Sequence, residues 1–502
     1  METLNSLLYG FSVALQPDNL FFVFIGTVLG TLVGVLPGLG PVGAISILLP
    51  MTFKLSSTGA IIMLAGIYYG AMYGGSTTSI LVNVPGETAS VVTCLDGYQM
   101  ALQGRAGPAL GIAAFGSFIA GTIGLIGLIV IAKPLSTMAL KFGPPEYFAI
   151  ILLGFTFVTY LSRGSMIKAI MMAFLGLILS IVGLDPITAD QRMTFGILNL
   201  FEGIGVAPIA MGLFGVGEVF SNLEIISSGE ILKTKIKNLF PSKLDWLQAK
   251  WALVRGTLIG FFMGILPGGG PVLSTFIAYG VEKRVSKNPE KFGKGAIEGV
   301  AAPESANNAA ASTSFIPLLT LGIPPNVILA VLFGAFLIHG VLPGPFLIKD
   351  HPDLFWGVIS SMYIGNMMLL ILNLPLIPMW VQVLKIPDKF LYPLILLFCL
   401  VGAYGLNNSL FDVIVMIIFG ILGYLFRKFD YEGAPLILAY VLGPMFEVNL
   451  RRSLLMSQGS FSIFITRPIS LVAISISLLL VITSIFQFLR KMKRTKEIPN
   501  IN

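Results

Sequence analysis

Apolar segments of about 15 to 25 residues recur from one end of the chain to the other, separated by short polar breaks. A helix needs roughly 20 apolar residues to cross a bilayer, whereas a transmembrane strand alternates over about ten. The pattern therefore predicts an all-α polytopic membrane protein with about 10–12 membrane segments. Two of these segments carry the same internal punctuation. Residues 26–42 read GTVLGTLVGVLPGLGPV and residues 256–272 read GTLIGFFMGILPGGGPV, shifted by about 230 positions. Gly26, Gly30, Gly34, Pro37, Gly38, Gly40 and Pro41 find identical partners in Gly256, Gly260, Gly264, Pro267, Gly268, Gly270 and Pro271. Each copy starts as an apolar helix and runs into a Pro-Gly-X-Gly-Pro break. Proline removes a backbone donor and glycine tolerates any backbone geometry, so helical bonding must lapse there. Inside a bilayer, broken backbone persists only where protein covers it or water reaches it. Two interrupted segments at corresponding places in two halves point to a transporter's binding site.

Taken in order, residues 20–36 read as a helix, the break follows, and residues 42–53 continue to Lys54. Residues 59–75 read as a helix ending at Tyr73, Gly74 and Gly75, ahead of a polar run from Ser76 to Glu87. DGYQMALQGRAG, from Asp96 to Gly107, reads as a loop before a long apolar segment to Ala132. Glycines at 111, 116, 121, 124 and 127 are spaced there so that another helix can approach closely. Residues from Lys141 and from Lys385 each read as a helix pair, with turns at Arg163 and Gly164 and at Asn407 and Asn408. Both halves thus run through broken segment, polar run, long helix and helix pair. The expected organisation is a first repeat over 1–220, a polar and cytoplasmic connector over 221–250, and a second repeat over 251–502.

Charge refines the topology. Lys233, Lys235, Lys237, Lys243 and Lys250 precede the second break and Lys283, Arg284, Lys287, Lys291 and Lys294 follow it, so both flanks read as cytoplasmic and residues 251–281 as a re-entrant hairpin. The matching loop of the first half offers only Lys54, and the helix-pair turn is basic in the first half and neutral in the second. Opposite bias at matched loops is the mark of inverted-topology repeats. Arg451 and Arg452 do not fit this helix count. The C-terminal RKMKRTK is placed in the cytoplasm.

Composition agrees with a membrane protein: 55% hydrophobic, 11% charged, mean hydropathy +0.90, where soluble domains carry about a quarter charged residues. The formal charge of +7 sits in loops and implies no nucleic-acid partner. No basic region followed by a cleavage site opens the chain, so the first helix is expected to stay. Cys94 and Cys399 lack metal-ligand spacing and read as packing residues, as do His339 and His351.

Candidate chemistry lies in the polar runs. The second half has its own, from Glu298 to Asn326, holding Glu304, Asn307, Asn308, Ser312, Thr313 and Ser314 among alanines. It is either a solvated loop or the lining of a cavity. Thr78 and Ser79 fall opposite Thr313 and Ser314, and Pro85 opposite Pro324. An anion needs donors without a buried cation, and freed backbone N–H groups with hydroxyls and amides supply them. Unwound carbonyls and hydroxyl oxygens can hold sodium. A proton relay needs embedded carboxylates, and Glu87 and Glu304 are those closest to the polar runs. There is no HExxH, no phosphate-binding loop and no paired aspartates on facing helices, so the chain is expected not to be an enzyme. A passive anion channel and a membrane-embedded enzyme are the alternatives to a transporter.

The motifs GTLVGVLPGLGP, GILPGGGP, YGGSTTSILVNVPGE, PESANNAAASTSFIPLLTLGIP and VLPGP at Val341 to Pro345 occur in one order through nearly the whole chain. In these the chain closely resembles the large membrane subunit, the TctA type, of the tripartite tricarboxylate transporters. The resemblance implies a bacterial inner-membrane permease driven by an ion gradient, without ATP. It implies a small membrane subunit and a periplasmic solute-binding protein that delivers a carboxylate, citrate by default. Sodium or a proton is the implied coupling ion, no other cofactor is expected, and a homodimer is an alternative assembly. Substrate contacts are expected at Pro37, Gly38, Leu39, Gly40, Ser76, Thr77, Thr78 and Asn83 in the first half. In the second they are expected at Pro267, Gly268, Gly269, Gly270, Asn307, Asn308, Ser312, Thr313 and Ser314, with Glu87 and Glu304 as candidates for ion coupling.

Overall fold

Helices carry nearly all of the chain, as the apolar spacing predicts, and the strands among the described residues are Gly183–Leu184 and Gln191–Arg192, paired antiparallel. The computed structural model describes residues 2–36, 40–160, 165–224, 238–383, 386 and 388–496. Among these, seven helices are long and apolar enough to cross a membrane, and four shorter apolar helices accompany them. The turns expected at Arg163 and Gly164, and residues 225–237 of the expected connector, lie outside the described residues. The chain is an all-α polytopic membrane protein.

Contacts divide it into two units, each assembled from both halves of the sequence: Met1–Leu140 with Gly205–Phe429, and Lys141–Ile204 with Asp430–Asn502. In the larger unit the first half contributes α1 (Pro17–Val35), α2 (Gly40–Leu48), α3 (Ser57–Val82), α4 (Val91–Leu102) and α5 (Ala106–Ala139). The second half contributes α6 (Lys243–Ile265), α7 (Gly270–Val285), α8 (Glu298–Thr313), α9 (Val327–Ile338) and α10 (Pro352–Asn373).

The glycines before each break set the packing. A Cβ on Gly26, Gly30 or Gly34 of α1 would collide with the carbonyl oxygens of Met63, Ile67 or Ala71, so α1 lies in backbone contact along α3 and runs parallel to it. On α6 the matching residues Gly256, Gly260 and Gly264 meet the carbonyls of Ala302, Ala306 and Ala310 on α8 in the same way. Small residues admit such backbone approach where apolar helices have no hydrophobic drive to associate. The spaced glycines of α5 behave as expected. Gly116 faces Leu253 and Ser305, and Gly124 faces Ala309 and Ser312, so α5 runs parallel to α8. Arg255 on α6 holds Glu282 on α7 through two bonds of 2.7 and 2.8 Å. These residues flank the break at similar distances, so α6 and α7 form a hairpin with the Pro267–Gly269 turn at its tip.

Two boundaries differ from the sequence expectation. Helix α3 does not end at Tyr73–Gly75 but continues to Val82, because Gly74 packs on the backbone of Thr31 in α1 rather than breaking the helix. Asn83, at φ 58°, ends it instead. Residues 96–102 are not a loop but the second half of α4. Asp96 is fully buried there, and its Oδ1 accepts from the backbone N–H groups of Gly293, Gly295 and Ala296 at 2.8–2.9 Å while Oδ2 accepts from the Tyr279 hydroxyl. One carboxylate thus pins the basic loop that follows α7. Arg105 pairs with Asp245 at 2.6 Å beside it, and Asp245 closes a capping box with Ser242 at the start of α6.

The smaller unit packs helices Pro144–Tyr160 and Met166–Ser180 against Gly433–Met456 and Pro468–Lys496. Gly176 abuts the Leu436 carbonyl, and Phe148 and Phe155 meet Phe446 with ring centroids 4.7 and 5.3 Å apart. Arg451, which fits no loop of the sequence reading, lies in the last turns of Gly433–Met456. It bonds Asp185 at 2.7 Å and Glu447 at 3.2 Å, and Arg192 joins both carboxylates.

Candidate functional site

Most of both polar runs is helical and buried, so the solvated-loop alternative falls, although Asn83, expected at the substrate, is exposed at the end of α3. Every residue of α8 from Gly299 to Thr313 is buried, as is the end of α3 from Gly74 to Leu81. Many hydroxyls in them are satisfied within their own helix. Ser76 donates to the Tyr73 carbonyl at 2.7 Å, Thr78 and Ser79 to that of Gly75, Thr313 to Ala309 and Ser314 to Ala310 at 2.7 Å. A hydroxyl spends one proton this way and keeps lone pairs for a second partner. Thr77 and Ser312 are buried in the same stretches.

Glu87 and Glu304 come together across the two halves. Glu87 follows α3 and caps a short helical turn, Thr88–Ser90, its Oε2 accepting from the Ala89 N–H. Its Oε1 lies 3.4 Å from Asn307 Nδ2, which also reaches the Met72 carbonyl at 3.5 Å. Glu304 sits one turn before Asn307 on α8, with Oε1 accepting from the Thr93 hydroxyl of α4 and the hydroxyls of Ser76 and Ser117 beside it. Asn308 donates to Ser117 Oγ at 2.7 Å. All these partners are neutral. Two buried acceptors, Glu304 Oε2 and Asn307 Oδ1, have no hydrogen-bond partner.

A matching arrangement stands in the other half. Gly322 ends its helix at φ 70° as Asn83 does at φ 58°, and each is followed by a proline, Pro324 or Pro85. Two residues beyond each proline comes a capping side chain. Asn326 caps α9 through the Leu329 N–H at 3.0 Å, at the place that Glu87 holds in the first half. Asn326 Nδ2 in turn reaches the Tyr68 hydroxyl at 3.4 Å and Ser314 Oγ at 3.3 Å. Tyr68 and Asn307 are related by the same offset as Glu87 and Asn326. The two contacts, Asn307 to Glu87 and Tyr68 to Asn326, are therefore reciprocal, as across a two-fold axis. This register replaces the looser sequence pairing: Thr313 and Ser314 fall opposite Gly74 and Gly75, while Pro324 keeps its place opposite Pro85.

At the second break, Gly268 adopts φ 79° and its N–H donates to the Pro325 carbonyl at 2.7 Å, next to Asn326. Pro267 and Gly269 are half-buried in the same turn, and Gly270, at φ 71°, places its Cα against Asn326. Gly40 has φ 57° with open space around it, while Pro37, Gly38 and Leu39 lie outside the described residues. The second break thus adjoins Asn326 and Ser314, and the carboxylates adjoin Ser76, Asn307 and Asn308. His339 is elsewhere: its Nε2 lies 3.1 Å from Thr52 Oγ1, on an open cavity of about 470 Å³ lined also by Phe53, Val206, Gly334 and Asn407. Tyr68, Thr93, Ser117 and Asn326 had not been singled out from the sequence. Pairing the helix ends by their prolines would have found Asn326, whereas nothing local marks Thr93 or Ser117.

The model of the tripartite tricarboxylate transporter TctA family matches residues 20–438. A protein of Agrobacterium vitis described as an uncharacterized 52.8 kDa protein in the TAR-I ttuC' 3'region is 51% identical over 496 residues, 99% of each chain. A second from the same organism, described as an uncharacterized protein in the TAR-II ttuC' 3'region, is 52% identical over 231 residues, 46% of this chain and 96% of its own. No solved structure matches.

Proposed function

Because the chain belongs to the tripartite tricarboxylate transporter TctA family, a family of transporter subunits and not of enzymes, we propose that it is the large permease subunit of a binding-protein-dependent secondary transporter. It imports a tricarboxylate or related small carboxylate across the bacterial inner membrane, coupled to a sodium or proton gradient. A small membrane subunit and a periplasmic solute-binding protein complete the system. The repeats 1–220 and 251–502, joined by the 221–250 connector, are inverted in topology and move by alternating access around a site between them.

The observation that carries this reading is the reciprocal pair of contacts, Asn307 with Glu87 and Tyr68 with Asn326, at the ends of two buried polar helices. A duplicated polar site between matched halves, beside broken helices, is what alternating access around a fixed centre requires. The inverted topology draws support from the order of helix contacts. Tyr73 meets Ala114 on α5, while Tyr69, one turn earlier on α3, meets Gly365 of α10. The neighbouring Asn366 binds at Phe118 and Thr122, further along α5. Moving backward along α3 thus corresponds to moving forward along α5, so the leading helices of the two halves oppose one another. The substrate is held by the Gly268–Gly270 turn with Asn326 and Ser314, together with the matching sequence stretch Pro37–Gly40 of the first half. Helix ends and amides there offer donors to an anion without a fixed positive charge.

The test is uptake of labelled citrate and a panel of dicarboxylates by proteoliposomes holding the chain and its small partner. It is run with and without the binding protein, under a sodium gradient and separately under a pH gradient. Accumulation that needs the binding protein and follows one gradient is expected. Equilibration indifferent to both gradients would replace the transporter with a passive channel.

A further inference from the structure

Resting on the transporter reading, we propose that Glu87, Glu304 and Asn307, with the Ser76 hydroxyl, form a sodium-ion site that exists in one half of the duplicated centre and not in the other. Two acceptors of this cluster are orphans. Glu304 Oε2 and Asn307 Oδ1 lie on side chains that are 1% and 0% exposed, and neither has a donor. An unpaired carboxylate oxygen in such a place is costly unless a positive charge meets it. No side chain supplies that charge, since the partners of both carboxylates are hydroxyls, an amide and a backbone N–H.

The hydroxyl next to Glu304 sharpens the case. Ser76 lies between the Tyr73 carbonyl, to which its hydroxyl donates at 2.7 Å, and the Glu304 carboxylate, which its hydroxyl also reaches, so its oxygen stands at the edge of the centre with lone pairs to spare. Carboxylate, amide and hydroxyl oxygens are the ligands that a hard cation takes, and Glu304 Oε2 and Asn307 Oδ1 are two of them left without a proton. Two carboxylates, an amide oxygen and a hydroxyl suit a monovalent ion. Among the described residues no group of three or more His, Cys, Asp or Glu side chains gathers as a transition-metal site would need.

The related half shows what is lost when these residues change. Asn326 stands where Glu87 stands, Tyr68 where Asn307 stands, and Ala65 where Glu304 stands. That half offers an amide, a phenol and a methyl group where the first offers two carboxylates and an amide, so duplication has left one acceptor-rich pole for a cation and one donor-bearing pole for an anion. The structure thus assigns one sodium ion of this kind per chain.

The experiment is sodium binding by the full chain in lipid nanodiscs, without carboxylate or partner proteins, at one fixed pH. Sodium chloride is titrated against choline chloride at constant ionic strength, followed by the midpoint of thermal unfolding and by bound ²²Na⁺ per chain. The expected result is a saturable rise with sodium and not with choline, with about one ion bound per chain. Glu304→Gln, Glu87→Gln and Asn307→Ala each weaken it by at least about tenfold, which corresponds to roughly 1.4 kcal/mol. Three variants are used so that misfolding of one leaves the others to decide. No sodium effect in the unmodified chain, or unchanged sodium affinity in every folded variant, overturns the site. A midpoint that ignores sodium but shifts when the titration is repeated at a second fixed pH also overturns it, in favour of a proton. Because no substrate is present, the outcome is independent of the uptake assay. Sodium binding without any uptake would sink the transporter reading alone, and uptake without sodium binding would sink the site alone.

Discussion

Gly268 is the position where one substitution series separates backbone geometry from side-chain bulk. Its φ of 79° lies in the left-handed region, and its N–H bonds the Pro325 carbonyl, which fixes the break beside Asn326. A residue with a Cβ held there costs roughly 1–2 kcal/mol, most for a β-branched one and least for asparagine, which visits this region readily. Relaxing the turn instead releases the Pro325 carbonyl, and a buried acceptor left unpaired costs roughly 1–3 kcal/mol. The strain alone depopulates the observed turn by about five- to thirtyfold for valine, at 1.4 kcal/mol per factor of ten. The assay is the initial rate of carboxylate uptake into proteoliposomes, normalised to the amount of inserted chain. Gly268→Asn is expected to stay within about threefold of the unmodified chain, Gly268→Ala to fall about fivefold and Gly268→Val up to about thirtyfold. Insertion should be unaffected in all three. Gly40→Ala, at φ 57° with nothing within 4 Å, should show the strain alone and follow the alanine value. A valine variant that transports normally, or an asparagine variant as damaged as valine, would refute the assignment of this turn to the working site.

Three further outcomes follow from the packing. Asp96→Ala removes the acceptor for three backbone N–H groups of the loop after α7, at a cost of roughly 2–4 kcal/mol. It should lower the unfolding midpoint and open residues 286–296 to protease, and a midpoint equal to the unmodified chain would show that the carboxylate does not hold that loop. Gly260→Val forces a side chain onto the Ala306 carbonyl and should destabilise by about 3 kcal/mol or more, whereas Gly280→Val meets open space and should be within about 0.5 kcal/mol of neutral. Equal effects of the two in a thermal-stability assay would contradict the α6–α8 contact. At Asp185 partial burial raises the carboxyl pKa, but the Ile187 N–H, Arg192, Arg451 and the Thr188 N–H outweigh it and hold it well below the usual range. A depressed folded pKa adds stability that is present above the ordinary carboxylate value of about 4 and drains away as pH falls further. Asp185→Asn should therefore flatten the fall in unfolding midpoint on the acid side, and an unchanged slope would remove Asp185 from that role.

Much of this architecture could be read from residue spacing because the signals were local. Helical length and the Pro-Gly-X-Gly-Pro motifs forecast two interrupted segments, and the second break is in the structure, while the close packing of the glycines on α1 and α6 was not foreseen. The helix ends were less legible. Gly74 and Gly75 look like a stop signal in sequence, yet packing against α1 and Glu87 keeps them helical, and the true stop at Asn83 depends on a backbone conformation no composition reveals. Asp96 reads as a loop residue because buried carboxylates are rare, and only the fold brings three N–H groups to it.

The same limit governs the site. Sequence marks Glu87 and Glu304 as embedded carboxylates, but what distinguishes them is the absence of a donor at Glu304 Oε2 and Asn307 Oδ1, a fact about neighbours 200 residues away. The pairing that explains their chemistry is between positions and not between residue types. Glu87 matches Asn326 because both cap the turn after a left-handed helix end and a proline, though they share neither charge nor a local motif. A duplicated fold preserves the backbone that makes a cap and leaves the capping side chain open to change. Once one copy carries a carboxylate and the other an amide, two equal half-sites can no longer bind the same thing. The proposed co-transport holds a cation and an anion together near one centre, and under that proposal the Glu87/Asn326 difference supplies opposite poles at matching backbone positions, with no lysine or arginine among their described partners.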